Sequence, residues 1–314
     1  MHLDTLKLVD TLTSRVEFDA GAGMKLVVEP HAPGVYRIRC GKTEAVASDT
    51  PPGARAKAHA DVLFARPEAV GEATAEPLNG SGKGWRLTQG DATLEVGSNP
   101  FRLTLQRAGK PVLALSGSGA HFAHDVWTVG FELKRGERIY GLGETGGDLD
   151  RRVEIIDSDD RAHRALPFAW SPVGWGVHVS SLGQVEHDVG ATSAGEYLIT
   201  IAGQVLDLFL FVGDPGEMLN QFTQLTGRAG QPALWSMGVW LEQPATHTAT
   251  QTAELVAEFR RQQIAIDGVL FLPPSAWTYH EAKLLPTWDA ERFPDPRQIS
   301  EVFARMGTLS LIHI

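Results

Sequence analysis

Acidic side chains crowd one short segment of the sequence, Ile156-Asp-Ser-Asp-Asp160, and are the first candidates for chemistry. Carboxylates at this spacing could bind a calcium ion or accept hydrogen bonds from a polar ligand. The ordered glycine and glutamate of an EF-hand loop are absent, so no calcium site is predicted. The alternative is a solvated acidic loop next to Arg161, and the residue types leave both interpretations open.

A second group of candidates lies in Trp277-Thr-Tyr-His-Glu281. An indole ring can stack on a flat ligand face, while histidine and glutamate can form hydrogen bonds with hydroxyl groups. The alternative is a packed surface loop that binds nothing.

Two further motifs do not support a site. Gly141-Leu-Gly-Glu-Thr-Gly146 has the GxGxxG spacing, but the residues after it lack the apolar face of the helix that a dinucleotide fold requires. His121 and His124 have HxxH spacing with no third ligand implied. Cys40 is the single cysteine, which excludes an intrachain disulfide and a cysteine-rich metal site. No metal and no cofactor are therefore predicted.

Composition narrows the class of protein. The 314 residues include 28 basic and 38 acidic side chains, a formal net charge of −10, without the basic cluster that binding to nucleic acid needs. The first ten residues, MHLDTLKLVD, lack the basic and apolar regions of a signal peptide. No apolar run approaches the roughly 18 residues of a membrane span. We therefore expect a cytoplasmic protein that binds neither nucleic acid nor membrane.

The elements that must position these residues differ between the two parts of the chain. Up to about residue 212, apolar residues alternate with polar ones, as in Phe101, Leu103 and Leu105, and glycine-containing turns such as Ala108-Gly109 interrupt the pattern. Period-two alternation of this kind predicts antiparallel sheets, and many such strands in a row favour a β-sandwich.

After residue 213 the spacing becomes helical. Three segments have N-terminal helix signals, and three apolar runs read as buried parallel strands. The predicted helices start at Asp214-Pro-Gly-Glu217, Thr248 and Asp295-Pro296, and the predicted strands are Trp235–Leu241, Gly268–Leu272 and Leu309–Ile314. We thus predict a sandwich domain over residues 1–230 and a parallel α/β region over residues 231–314.

That second region is short for a closed fold. A β/α barrel takes roughly 250 residues, so residues 231–314 could supply only its opening strands. We expect an incomplete barrel, the alternative being a small α/β appendage whose last strand packs on the sandwich.

Five motifs resemble glycoside hydrolase family 31, the α-glucosidases and α-xylosidases. They occur in the family's order, although each alone is of modest specificity. They are Phe131–Glu144, similar to "YGLGE"; Pro167-Phe168 with Gly174-Trp-Gly-Val177; the helix and linker 214–234; Trp235-Ser-Met-Gly-Val-Trp240; and Trp288-Asp289 with Arg292-Phe-Pro-Asp-Pro296.

The resemblance implies a galactose-mutarotase-like β-sandwich followed by the start of a (β/α)8 TIM barrel. It also implies retaining hydrolysis of an α-linked glycoside by two carboxylates about 5 Å apart. In the family these carboxylates follow the fourth and sixth barrel strands, and this chain ends with the third. No catalytic residue is therefore assigned, and the chain alone is predicted to be inactive.

The resemblance also gives the candidate residues a role. A sandwich loop of the family carries a "WNxD" pattern whose acid binds substrate; Asp159 matches that acid, and Asp157 stands in place of the asparagine. Trp277, His280 and Glu281 follow the second barrel strand, on the side where barrels bind ligands, and could form a replacement subsite.

Two positions depart from the family pattern. Gln243 and Pro244 stand where an arginine and an aromatic residue usually follow the first strand. Leu272, before Pro273-Pro274, replaces an aspartate that binds the sugar. Either the specificity has shifted to an unusual sugar, or selection for activity has relaxed.

Two hypotheses about function follow. The chain is the N-terminal part of an α-glycosidase whose catalytic half is lost or separately encoded, in which case the missing barrel half is an expected partner. Alternatively, it is a complete non-catalytic protein that binds carbohydrate or has a structural role. The apolar ending Leu-Ser-Leu-Ile-His-Ile favours the first.

Overall fold

The protein consists of two compact units that divide after Arg228. The computed structural model describes residues 1–11, 15–43, 46, 73–78, 83–158, 164–273, 276–280 and 285–312. The first unit contains the predicted sandwich and the helix that follows it, and the second contains residues 229–314.

Seventeen strands are described in the first unit. In chain order they are β1 (Lys7–Thr11), β2 (Val16–Gly21), β3 (Met24–Ala32), β4 (Val35–Lys42), β5 (Thr74–Pro77), β6 (Gly84–Gln89), β7 (Ala92–Ser98), β8 (Phe101–Arg107), β9 (Lys110–Ala123), β10 (Val126–Glu132), β11 (Tyr140–Glu144), β12 (Ile155–Asp157), β13 (Arg164–Ser171), β14 (Trp175–Val179), β15 (Val185–Val189), β16 (Glu196–Ala202) and β17 (Leu206–Val212).

These strands form two sheets, and every described strand pair in them is antiparallel, as predicted. The eight-stranded sheet has the order β1-β2-β3-β4-β17-β14-β13-β11, and the nine-stranded sheet has the order β12-β15-β16-β10-β9-β8-β7-β6-β5. Residues of both sheets, such as Val177 and Ile199, share one apolar core. The predicted β-sandwich is confirmed.

Alternation along the strands builds this core. In β7 the side chains are buried at every second position, beginning with Ala92, because one face of the sheet meets the other sheet. In β17 every side chain is buried, although the strand lies in the middle of the same kind of sheet. Its second face is covered by a helix.

That covering helix is α1 (Pro215–Thr226), and it begins where the sequence predicts. The Asp214 side chain accepts a hydrogen bond from the Glu217 N–H at 2.9 Å, and the Glu217 carboxylate accepts one from the Asp214 N–H at 2.7 Å. This capping box satisfies two of the N–H groups that a helix start leaves unpaired. Met218 and Phe222 on its apolar face pack with Phe211 of β17.

The second unit alternates strands and helices. Its elements are β18 (Trp240–Glu242), α2 (Ala249–Arg261), β19 (Gly268–Phe271), β20 (Trp277–His280), β21 (Leu285–Trp288), α3 (Pro296–Arg305) and β22 (Leu309–Ile312). β18, β19 and β22 pair in parallel in that order, which confirms the predicted parallel sheet and the opening strands of a barrel.

Two local predictions for this unit are wrong. The predicted strand Trp235–Leu241 begins only at Trp240; Leu234–Met237 forms a single 3-10 turn instead. The reason is pairing. The neighbouring strand β19 starts at Gly268, which faces Trp240, whereas the N–H groups of Ser236 and Gly238 donate to the carbonyls of Ala233 and Trp235 in their own segment. The segment Trp277–His280 is not a loop but one strand of an antiparallel hairpin with β21.

The helix starts of this unit agree with the sequence. Thr248 caps α2 by accepting from the Gln251 N–H at 3.3 Å, and Asp295 caps α3 by accepting from the Gln298 N–H at 3.0 Å. Ile299 and Phe303 of α3 are buried, as their spacing predicts. Among the described residues, no helix is both long and apolar enough to cross a membrane.

Candidate functional site

The acidic segment begins at the edge of the nine-stranded sheet. Strand β12 pairs with β15, with Asp157 opposite Glu186. The next residue extends this attachment: the Ser158 N–H donates to the Val185 carbonyl at 2.8 Å, and the Ser158 hydroxyl accepts from the Val185 N–H at 2.8 Å. The chain is therefore held to the sheet up to the residue before Asp159.

The carboxylate of Asp157 already has a protein partner. The side-chain amide of Gln184 donates to its Oδ2 at 2.5 Å, across the two paired strands. One oxygen of the carboxylate is thus oriented by the sandwich. Its predicted contact with substrate stays a prediction.

Asp159, the residue expected to bind substrate, lies outside the described residues, as does Arg161. What the structure describes is the anchored approach to this position.

The segment before β12 is organised around a buried arginine that the sequence analysis did not single out. The Arg151 guanidinium forms an ion pair with Glu154 at 3.3 Å. It also donates to four main-chain carbonyls, those of Gly141 (3.3 Å), Gly143 (3.4 Å), Thr145 (3.2 Å) and Gly146 (2.8 Å). Five hydrogen-bond donors in a rigid fork suit this task. The GxGxxG segment is thus wrapped around a side chain of the protein, and no helix follows it in residues 145–154.

In the second unit, Trp277 is a core residue. Its side chain is 1% exposed, and its indole N–H donates to the Phe271 carbonyl at 2.9 Å. A ring enclosed by its own unit has no free face for a sugar, so the structure favours the packed alternative over the stacking role. The physical reason is the hairpin, which places Trp277 opposite Trp288 and against the apolar cluster of this unit.

The other two candidates of this segment are less defined. The backbone of His280 lies in β20, facing Leu285, while Glu281 lies outside the described residues. Their role in a replacement subsite stays a prediction.

Gln243, which departs from the family pattern, stabilises the loop after the first parallel strand. It is buried, and its amide nitrogen donates to the carbonyls of His247, at 3.0 Å, and Pro244. Leu272, the other departure, is partly buried directly after β19. Neither side chain supplies a charge to the ligand-binding side of the sheet.

The motif around Trp288-Asp289 connects two loops, which the sequence alone did not reveal. The Asp289 carboxylate accepts from the Arg292 N–H at 3.0 Å and from its guanidinium at 2.9 Å. These bonds, the backbone one first, hold the pKa of Asp289 below its usual range. The Arg292 guanidinium also donates to the Ala245 carbonyl in the loop after β18. The WDxxR motif thus joins the loop after β21 to the loop after β18.

The described residues contain no group of three or more histidine, cysteine, aspartate or glutamate side chains that could hold a metal ion. They do contain a cavity of about 500 Å3 in the first unit, between α1 and the turn that joins β3 to β4. Arg107 on its rim is paired with Glu217 at 2.7 Å and with Asp91 at 3.6 Å. Asn220 and Gln224 add neutral amides to its wall.

Comparison with known families identifies both units. The family model described as the glycosyl hydrolase 31 N-terminal galactose mutarotase-like domain matches residues 25–188. The model described as the glycosyl hydrolases family 31 TIM-barrel domain matches residues 229–314.

Individual relatives are distant and longer. The chain is 30% identical to alpha-xylosidase XylQ of Lactiplantibacillus pentosus over 51% of its own length and 22% of that protein. It is 24% identical to alpha-glucosidase 2 of Bacillus thermoamyloliquefaciens over 68% of its own length and 29% of that protein. The chain thus spans less than a third of either relative.

Solved structures share the fold. A GH31 dextranase of Flavobacterium johnsoniae complexed with glucose matches with a TM-score of 0.81 at 17% identity, over 99% of this chain and 38% of that one. A GH31 alpha-xylosidase from a soil metagenome complexed with xylose matches with a TM-score of 0.77 at 17% identity, over 98% of this chain and 46% of that one.

Proposed function

The chain belongs to glycoside hydrolase family 31, and from this membership we propose that its 314 residues supply the N-terminal sandwich and the first three barrel strands of a retaining α-glycosidase. The observation that carries the proposal is the order of the two family matches on the fold. They fall on an antiparallel sandwich and then on three parallel strands joined by helices.

The proposed reaction needs two carboxylates that we do not expect within this chain. Retaining glycosidases use one carboxylate as nucleophile and a second as general acid, about 5 Å apart. From the family resemblance we expect both after later barrel strands than β18, β19 and β22. The role of this chain is then to form one side of the barrel and to present the sandwich loop to the substrate.

Within that role, we propose that the sandwich loop binds the part of the sugar beyond the scissile bond. A carboxylate at Asp159 can accept two hydroxyl hydrogen bonds at once. Two sets of hydrogen bonds support this, those between Ser158 and Val185 and those from the Arg151 guanidinium to main-chain carbonyls. Both restrict the backbone on the approach to Asp159. The substrate class is an α-linked glucoside or xyloside, and the proposed location is the cytoplasm.

A turnover assay tests the assignment of the chemistry. The purified 314-residue chain should not hydrolyse aryl α-glucosides or α-xylosides above buffer, whereas a chain extended by the remaining barrel strands should. The nucleotide sequence after codon 314 shows whether such an extension is encoded. Turnover by the 314-residue chain that disappears on mutation of one of its own residues would overturn the proposal.

The substrate loop is tested in the extended enzyme. Asp159→Ala should lower kcat/KM for a disaccharide more than for an aryl glycoside, whose leaving group offers no hydroxyls. A lost charged hydrogen bond is worth roughly 1.5–3 kcal/mol, about ten- to a hundredfold. Asp157→Ala is the matched control and should cost less, because Gln184 already occupies one of its oxygens. Equal losses on both substrates would mean that Asp159 only shapes the loop.

A second candidate function, carbohydrate binding without catalysis, is favoured by the cavity beside α1. Its volume of about 500 Å3 is within the range of small-molecule sites. The pairing of Arg107 with Glu217 leaves no free positive charge for an anion, and amides suit hydroxyl groups. Gln224→Ala should abolish sugar binding by the 314-residue chain if this cavity is the site, whereas Leu219→Ala, on the same helix but outside the cavity, should not.

A further inference from the structure

The first residues of the chain lie antiparallel along strand β9. The Met1 amino group donates to the Phe122 carbonyl at 2.6 Å, and the Phe122 N–H donates to the Met1 carbonyl at 2.8 Å. The Leu3 N–H then donates to the Ala120 carbonyl at 2.9 Å. Between these bonds, His2 and His121 stand directly opposite each other.

The position of this pair in the ladder brings the two side chains close. Met1 and Phe122 exchange both hydrogen bonds, so the next pair, His2 and His121, is the non-hydrogen-bonded kind. At such positions the Cβ atoms of opposite residues are about 4.5–5.5 Å apart and on the same face of the sheet. The two imidazole centroids are accordingly 5.0 Å apart, with the rings tilted by 36°.

The ring of His121 has one nitrogen available for coordination. Within the part of the chain that the structure describes, Nδ1 of His121 is buried without a hydrogen-bond partner, which leaves Nε2 to face solvent. Imidazole binds a metal ion through such a nitrogen when the ring is neutral.

We propose that His2 and His121 form a cross-strand site for a divalent transition-metal ion of the copper, nickel and zinc type. Imidazole nitrogen is a preferred ligand of these ions, whereas magnesium and calcium require oxygen ligands. Two ring nitrogens can each approach a shared ion to about 2 Å, and water completes the coordination. The site is independent of glycoside hydrolysis and goes beyond the proposed function.

The fold, rather than the local sequence, creates this site. His2 and His121 meet only when the first residues pair with β9, so the unfolded chain lacks the site, and a bound ion should stabilise the native state. His124 offers the internal comparison. It has HxxH spacing to His121, but it lies in the turn after β9, is exposed, and has a φ of 52°.

The test is a titration of the 314-residue chain with CuCl2 at pH 7, followed by electron paramagnetic resonance for nitrogen coordination. The expected result is one tight copper site that His2→Ala and His121→Ala each weaken by about tenfold or more. His124→Ala is the matched control and should bind copper like the parent chain. Full affinity after His121→Ala, or an equal loss after His124→Ala, would overturn the proposal.

A thermal measurement covers variants that fold less well. One equivalent of copper should raise the Tm of the parent chain by about 2–4 °C, EDTA should reverse the rise, and His2→Gln and His121→Gln should each abolish it. The metal-free Tm of each variant serves as its own baseline, so a change in stability does not imitate loss of the site. A copper-dependent rise that persists in both variants would contradict the proposal.

Discussion

The two units of the chain bury their apolar side chains to different extents. In the sandwich, 40 buried apolar residues among those described form one core, and β17 is covered on both faces. In residues 229–314, nine form the main cluster, and the central strand β19 is mostly buried. The outer strand β22 leaves Leu309 and Leu311 41% and 50% exposed.

The difference shows that the type of sheet decides whether a unit can bury its own apolar surface. Two antiparallel sheets cover each other, so the sandwich needs only α1 in addition to bury its central strands. Parallel strands need neighbours on both sides and helices on both faces, and three of them provide this only for the middle one. The sequence signals at the helix starts do not reveal this difference in burial, because a complete capping box begins α1 in one unit and α2 in the other.

The largest expected effect comes from separating the units. Residues 1–228 produced alone should be a soluble monomer with one cooperative thermal transition, because their core is closed. As its concentration rises, the 314-residue chain should aggregate or retain chaperones, since exposed apolar strands recruit other chains. Light scattering and size-exclusion chromatography measure both. A monodisperse full-length monomer with a cooperative melt would contradict the claim that only the sandwich unit buries its own apolar surface.

Removing one ring should unfold the small core selectively. Trp277→Ala should cost the second unit about 3–5 kcal/mol, because it leaves a cavity and removes the bond to the Phe271 carbonyl. The sandwich transition should not move. Trp235→Ala is the matched control, since that ring is 49% exposed and should cost little. Two-transition calorimetry resolves these effects, and a loss confined to the sandwich would contradict the assignment of Trp277 to the second core.

Acid should destabilise the sandwich through His187. The ring is buried, its Nδ1 lies 2.7 Å from the Tyr197 hydroxyl, and burial lowers its pKa from the usual 6.5 to about 3. Folding therefore requires the neutral ring: its contribution to stability is complete above pH 6.5 and decreases as the pH falls toward 3. Between pH 7 and pH 4.5 this amounts to about 2–3 kcal/mol.

The control for this pH effect is His187→Gln, which can still hydrogen-bond with Tyr197 but does not titrate. Denaturant unfolding of residues 1–228 between pH 4.5 and 7 should show a shallower pH dependence in the variant, by about one proton. Parallel curves for the two proteins would mean that His187 is protonated in the native state.

The smallest effects compare the two capping boxes. Asp214→Ala in the sandwich unit and Thr248→Ala in the second unit should each cost about 1 kcal/mol, because each leaves helix N–H groups unpaired. Asp214→Asn and Thr248→Ser keep a capping oxygen and should restore most of the loss. Denaturant unfolding measures all four. A much larger loss of stability for Thr248→Ala than for Asp214→Ala would show that the second unit depends more on its helix than the sandwich unit does.

Much of the fold was predictable from local pattern. The alternation of β7, the helix starts at Asp214, Thr248 and Asp295, and the parallel order of the second unit all follow from spacing and capping chemistry. The family motifs identified the candidate loop at Asp157, but they could not reveal its bond to Gln184, because that contact depends on the pairing of β12 with β15.

The sequence by itself determined where elements begin, which faces are apolar and which family the chain resembles, because these depend on residues a few positions apart. Tertiary structure decided the late start of β18, the burial of Trp277 and the meeting of His2 with His121. Each of these depends on the register between distant strands. Register is set by the simultaneous burial of many side chains, and no short stretch of sequence encodes it.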